Sequence, residues 1–338
     1  MKQVVITGKQ QAELVEAPTP RPKEDWALVK VHAAPMCAEY KLFSAGKKTV
    51  APGHEAAGEV VEVAQPGKVK VGDRVVAMPL YGCGKCELCN SGEYIHCQDK
   101  TDFVELHGSP EGQGTMAQYI LKPSWLLLPI PGGVSYEKGA LACCALGPTF
   151  GAVQAMGLSA YDTILITGAG PVGMGGAVNA KFRGARVIVV ESVPWRVERL
   201  KAMGVEQVLS PREPDLLRRI LDLTGGKGVD CALDCAGVTA AQRLCIDATR
   251  RKGKVAFVGE CHDSLPICVS PDLLRKGLTL IGAWHYNLAD YPKVAQVICE
   301  SPLIDLLISH VLPMSKIQAA FELSASHQTA KVILNPWE

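Results

Sequence analysis

Residues 163–191 read TILITGAGPVGMGGAVNAKFRGARVIVVE, and this stretch decides the fold of the second half of the chain. An apolar run, Thr163 to Thr167, leads directly into Gly168-Ala169-Gly170-Pro171-Val172-Gly173. That is G-x-G-x-x-G, followed by a helix-length segment and a second apolar run that ends in Glu191. The glycines permit a tight turn and let a pyrophosphate approach a helix N-terminus, where free N–H groups favour an anion. A carboxylate about twenty residues past such a motif accepts the ribose 2′-hydroxyl and repels a 2′-phosphate, so Glu191 favours NAD over NADP. Arg196 lies close enough to touch the ribose or a phosphate. A glycine motif alone is a weak signal; here strand, helix, second strand and terminal acid all fall in order.

Outward from this core the texture is consistent. Beyond Glu191 come WRVERLKAMG, VDCALDCAG and KVAFVGE, helix-like and strand-like in alternation to about Gly282. That alternation predicts a parallel sheet with crossover helices, a doubly wound α/β domain over 146–284. Before it, residues 1–145 read as short strands punctuated by Gly and Pro. Ala27–Ala33, Gly58–Val63 and Gly72–Met78 are extended runs broken by PGHE, QPGK and IPGG. This predicts a β-barrel-like domain. The tail, 285–338, has an amphipathic helical stretch around Lys316–Ser324 and a last strand, AKVIL, and is expected to complete the first domain.

The 338 residues fit two domains, and 48% hydrophobic content is ample for their cores. Lys+Arg total 35 against 34 Asp+Glu, which gives no basic patch for nucleic acid or an anionic membrane. The N-terminal residues lack the apolar core of a signal peptide, and the apolar stretch 139–155 is too broken to span a bilayer. Thirteen cysteines without an export signal, an odd number, read as metal ligands in a reducing cytoplasm rather than as disulfides.

The spacing Cys83-x2-Cys86-x2-Cys89-x7-Cys97 is the clearest local signal. Thiolates bind zinc tetrahedrally, and Gly82 and Gly84 permit the turn that aims neighbouring sulfurs at one ion. Four sulfurs leave no open position, so this zinc is structural; an iron–sulfur cluster is the other reading of the spacing. A second, dispersed set comprises Cys37, Gly53-His54-Glu55 and Cys143-Cys144. Each alone reads as a buried thiol or a hydrogen-bonded imidazole. Together they offer two thiolates and an imidazole with a carboxylate nearby. Three protein ligands leave a fourth position for water or substrate, the arrangement of a catalytic zinc that polarises an alcohol.

In this order the motifs resemble the medium-chain dehydrogenase/reductase family, in its zinc-containing alcohol and polyol dehydrogenase branch, across essentially the whole chain. The resemblance implies a GroES-like N-terminal domain carrying Cys37, GHE at 53–55, GDRV at 72–75, the four-cysteine lobe and GTMAQY at 114–119. It implies a Rossmann domain in which Cys235 and Ala236, within GVDCALDCAG, form the adenine-side wall. Val258 and Gly259, ending KVAFVG, would touch the nicotinamide carboxamide. Cys37 and His54 match two catalytic-zinc ligands, and Glu55 matches the acidic neighbour near or on the metal. Cys144 matches the third ligand on a count back from Ala152, with Cys143 beside it, and Arg196 matches a basic position at the adenosine ribose. Two zinc ions per chain, NAD, and a homodimer or homotetramer follow from the same likeness.

One departure stands out. The family usually has Cys-Gly-Ser/Thr-Asp at the first ligand, often with a His two residues beyond, whereas this chain has Cys37-Ala38-Glu39-Tyr40-Lys41-Leu42. Glu39 stands where a hydroxyl normally relays the alcohol proton. It is expected to accept that proton or to bind a further substrate hydroxyl, the alternative being a ligand or solvent-facing role. A carboxylate there suits a polyol, sugar or cyclitol. Trp284, His285 and Tyr286 are candidate substrate contacts or simply core residues. The expected function is hydride transfer between a secondary alcohol and NAD. Two alternatives are an epimerase or lyase that uses tightly bound NAD with no net redox change, and a non-catalytic NAD- and zinc-binding regulator.

Overall fold

The computed structural model describes residues 1–338. They form two compact units, one of Met1–Cys144 with Asn287–Glu300 and Ile308–Glu338, the other of Ala145–Tyr286 with Ser301–Leu307. No helix is long and apolar enough to cross a membrane.

The second unit holds a six-stranded sheet in the order Gln207–Leu209, Arg186–Val190, Thr163–Thr167, Val229–Asp234, Thr249–Phe257, Thr279–Gly282. Every neighbouring pair is parallel. Counted along the chain this is 3-2-1-4-5-6, the doubly wound dinucleotide-binding order. Its central strands are continuous apolar runs, and Ile164, Leu165, Ile166, Ala232 and Leu233 are wholly buried, as strands covered on both faces require. The order reverses between Thr163–Thr167 and Val229–Asp234. Ligands of such sheets bind beyond the carboxyl ends of the strands at this switch point, which is where Gly168 follows Thr167.

The first unit is built around the strand Trp26–Pro35. It pairs antiparallel with Ala56–Val63, Tyr119–Pro123 and Lys331–Asn335. Lys331–Asn335 also runs parallel to Ile308–Pro313, and Arg74–Ala77 bridges Ala56–Val63 to Leu127–Pro129. Side chains alternate across the spine strand: Ala27, Val29 and Val31 enter a large core with Val60, Val75, Val332 and Leu334, while Trp26 and Leu28 enter another with Phe103 and Leu121. The extended run expected over 72–78 is a strand only at Arg74–Ala77, and the tail helix is Ile317–Ala325.

Among the elements that escape the sequence pattern is the short helix Glu39–Ala45. It is held by packing. Phe43 stacks on Phe321 of the tail helix, with ring centroids 4.9 Å apart and planes 10° from parallel, and both rings are buried. This contact fixes the helix whose first residue is Glu39. Phe321→Ala is expected to cost about 3–5 kcal/mol of stability, measured by denaturant unfolding; a loss under about 1 kcal/mol would show that the stack does not hold the helix.

Candidate active site

Three chain segments of the first unit meet at one place. Cys37 follows the strand Trp26–Pro35, His54 and Glu55 immediately precede Ala56–Val63, and Cys144 comes a few residues after the helix Tyr136–Ala140. The ligand atoms of Cys37, His54, Glu55 and Cys144 all lie within 4.8 Å of one another. Cys144 Sγ is 3.3 Å from His54 Nε2. Around a tetrahedral zinc, bonds of about 2.3 Å to sulfur and 2.1 Å to nitrogen put those atoms about 3.6 Å apart, so the donor set fits that ion. Cys143 is turned the other way, its thiol 3.5 Å from the Ala77 carbonyl in the core.

Glu39 is 5% exposed and lies against Cys37 and His54. Its Oε2 accepts the Cys37 N–H at 2.7 Å, and its Oε1 lies 2.6 Å from His54 Nδ1. Burial opposes a charged His54, but Glu39 and Cys37 outweigh it and raise the imidazole pKa well above its usual value. With Nδ1 engaged, Nε2 is the nitrogen left towards Cys144. The contact between the two sulfurs holds the Cys37 thiol well below its usual pKa and pushes Cys144 well above. Beneath them, Glu55 Oε2 accepts the Cys144 N–H at 3.1 Å and Oε1 accepts from Lys331 Nζ at 2.5 Å. Burial pushes the Glu55 carboxyl up to about 7 against the pull of Lys331. Burial also disfavours the Lys331 ammonium, but Glu55, Cys37 and Cys144 prevail and raise its pKa. Lys331 is a site residue that sequence spacing does not reveal.

Cys83, Cys86, Cys89 and Cys97 likewise converge within 4.8 Å. Cys86 Sγ is 3.8 Å from Cys97 Sγ, the edge of a tetrahedron with bonds of about 2.3 Å. The backbone N–H groups of Lys85 and Cys86 pull the Cys83 thiol down to about 7, while burial pushes Cys89 up to about 12. All thirteen thiols of the chain are free.

In the second unit, Gly168 has φ +80° and abuts Ala236; a Cβ there would lie 2.9 Å from the Ala236 Cα. A Cβ on Gly173 would collide with the Gly168 carbonyl. Gly170 caps the helix Pro171–Phe182, with Pro171 and Val172 in its first turn. Glu191 is 6% exposed and accepts N–H groups from Ala169 at 2.7 Å, Ser192 at 2.6 Å and Val193 at 2.8 Å. Arg196 Nη1 is 3.7 Å from Glu191, and its buried Nε has no partner. Cys235 is tied to Thr167, and Val258 and Gly259 both donate to the Asp234 carbonyl. The expected nucleotide residues thus gather at the switch point. Of the substrate candidates, Trp284 is exposed and His285 buried. Tyr286 is 2% exposed and packs edge-on against Phe150, so its ring is part of this unit's own core.

The comparisons with known proteins agree with this geometry. Residues 23–132 match the family model "Alcohol dehydrogenase GroES-like domain", and residues 171–300 match "Zinc-binding dehydrogenase". The chain is 31% identical to a sorbitol dehydrogenase of Bacillus subtilis, over 99% of this chain and 97% of that one. It is 32% identical to an L-threonine 3-dehydrogenase of Pyrococcus horikoshii, over 95% and 94%. Among solved structures it is similar to an alcohol dehydrogenase from Thermus sp. ATN1, with TM-score 0.88, 25% identity and 99% of both chains covered. It is also similar to the 2R,3R-butanediol dehydrogenase of Bacillus subtilis, with TM-score 0.85, 25% identity, and 99% of both chains covered.

The Gly173 contact yields a direct test. Gly173→Ala should force the loop and helix apart and weaken NAD binding by roughly tenfold or more, read by fluorescence titration, with unchanged far-ultraviolet circular dichroism. Unaltered affinity would mean that the loop does not receive the cofactor.

Proposed function

The chain belongs to the zinc-containing medium-chain dehydrogenase/reductase family and is an NAD-linked alcohol or polyol dehydrogenase; from that premise we propose its substrate class and the part each residue plays. The substrate is a secondary alcohol with a second polar group beside it, a polyol, sugar or cyclitol. The likeness to dehydrogenases named for sorbitol and butanediol supports this. The observation that carries the reading is the convergence of Cys37, His54 and Cys144 within 4.8 Å in one unit. These three would hold a catalytic zinc, and Cys83, Cys86, Cys89 and Cys97 a second, structural one. When bound, zinc supplies a Lewis acid with one open position, and NAD supplies the hydride acceptor.

The chain's own residues arrange the rest. Glu39 fixes the His54 tautomer through Nδ1 and braces Cys37 through its N–H. This positioning role stands beside the expected uptake of the alcohol proton: Oε2 accepts the Cys37 N–H, and Oε1 lies 2.6 Å from His54 Nδ1 as an ion-pair contact. In the second unit Gly168–Gly173 receives the pyrophosphate, Glu191 and Arg196 bind the ribose, Cys235 and Ala236 line the adenine, and Val258 and Gly259 meet the carboxamide. A reducing cytoplasm keeps the thiols available as ligands.

The strand Thr279–Gly282 ends its sheet with a single neighbour, and Val269 and Leu274, shortly before it in sequence, are 63% and 72% exposed. Pairing of this edge with a second copy gives a homodimer, alone or as half of a tetramer. Leu274→Glu should then shift the mass measured by light scattering towards the monomer; an unchanged mass would place the interface elsewhere.

The activity is tested by screening polyols, sugars and aminocyclitols with NAD while counting metal. NADH formation and two zinc ions per chain are expected; no turnover together with one zinc would overturn the reading. Glu39→Ala separates the two roles of that residue. As a positioning residue its loss lowers zinc affinity about 10–100-fold, whereas a proton acceptor would lose turnover and keep its metal.

A further inference from the structure

Lys331 is fully buried, and no step above uses it. The sheet delivers it to the metal set. Its strand pairs with Trp26–Pro35 through Ile333 and Leu334 opposite Pro35 and Ala34, and Met36 N–H donates to the Val332 carbonyl at 2.8 Å. The side chain then reaches under the site. Nζ donates to the Met36 carbonyl at 3.1 Å and to Glu55 Oε1 at 2.5 Å. Glu55 Oε2 accepts the Cys144 N–H at 3.1 Å. Met36 adjoins Cys37 and Glu55 adjoins His54 in the chain. One buried pair therefore touches all three ligand-bearing segments.

Glu55 is also a potential ligand. Its Oε1 lies 3.9 Å from His54 Nε2, within reach of the same ion, and carboxylates bind zinc well. A fourth protein ligand would close the position that the substrate needs. We propose that Lys331 is a positioning residue that holds Glu55 back from the metal, keeping the fourth position open, and ties the segments of Cys37, His54 and Cys144 together. This rests on the assignment of a zinc ion to those three residues. The two thiolates would offset the ion's two positive charges, and Lys331 offsets Glu55.

The test replaces zinc with cobalt, whose visible bands report its coordination, and uses imidazole as the probe of an open position. The four-cysteine site contributes equally to every variant and cancels in difference spectra. In the unaltered protein, imidazole is expected to shift the cobalt bands. In Lys331→Met the bands should change before any addition, the imidazole response should be lost, and kcat should fall about 10–100-fold. Lys331→Met combined with Glu55→Gln should restore both the spectrum and the response, because the competing carboxylate is gone. Lys331→Arg should keep both. If Lys331→Met resembles the unaltered protein, or the double variant restores nothing, the proposal fails. If Lys331→Met takes up no cobalt, the double variant decides: uptake with an imidazole response supports the proposal, and its absence overturns it. An unaltered protein without any imidazole-responsive cobalt would instead overturn the metal assignment itself.

Discussion

Two opposite charges with no access to water sit 2.5 Å apart beneath the metal set of the first unit, and the surrounding loops are built on them. Moving each ion out of water costs several kcal/mol, and a well-packed apolar pair in its place is often as stable or more so. Stability is thus a poor reason for Lys331 and Glu55. Geometry is a better one. A buried charge needs partners on every polar atom, and these partners are the Met36 carbonyl and the Cys144 N–H, one bond or one residue from a ligand. The electrostatic demand of the pair becomes a positional demand on the segments around it.

The second unit meets a similar need with different groups. Its ligand loops leave the sheet at the carboxyl ends of strands, where backbone N–H groups lose their ladder partners and must find others. Buried carboxylates supply them. Glu191 collects the N–H groups of Ala169, Ser192 and Val193. Asp234, with no exposure, accepts from Ala236 and Gly237 and from the Thr167 hydroxyl. The glycine loop and the turn at Ala236 and Gly237 are thereby fixed by the fold itself. In both units irregular backbone at a sheet's end is organised by a buried acid.

What was legible in the sequence follows from range. The glycine motif and the four-cysteine lobe are local, and spacing alone displays their geometry. Cys143 and Cys144 are adjacent and differ only in direction, which the packing of Cys143 against Ala77 decides. The helix Glu39–Ala45 is a single short stretch behind Ala38, which gives no side-chain cap, and it exists because Phe43 meets Phe321. Without that helix Glu39 reads as a group facing the substrate. Lys331 heads an apolar strand like any edge charge, and its partner lies 276 residues away. Tyr286 reads as either a substrate contact or a core residue, and only its packing against Phe150 favours the core.

The two acids beside His54 also bear on recognition. Glu39 takes the N–H of Cys37 and Glu55 the N–H of Cys144, so each of these cysteines is braced by a carboxylate. Glu39 also lies 2.6 Å from Nδ1, and a carboxylate so placed makes an imidazole a better donor through its other nitrogen. The case for a polyhydroxylated substrate does not rest on Glu39 alone. It rests also on kinship with dehydrogenases named for sorbitol and butanediol, and Glu39 is placed to do more than one thing beside His54.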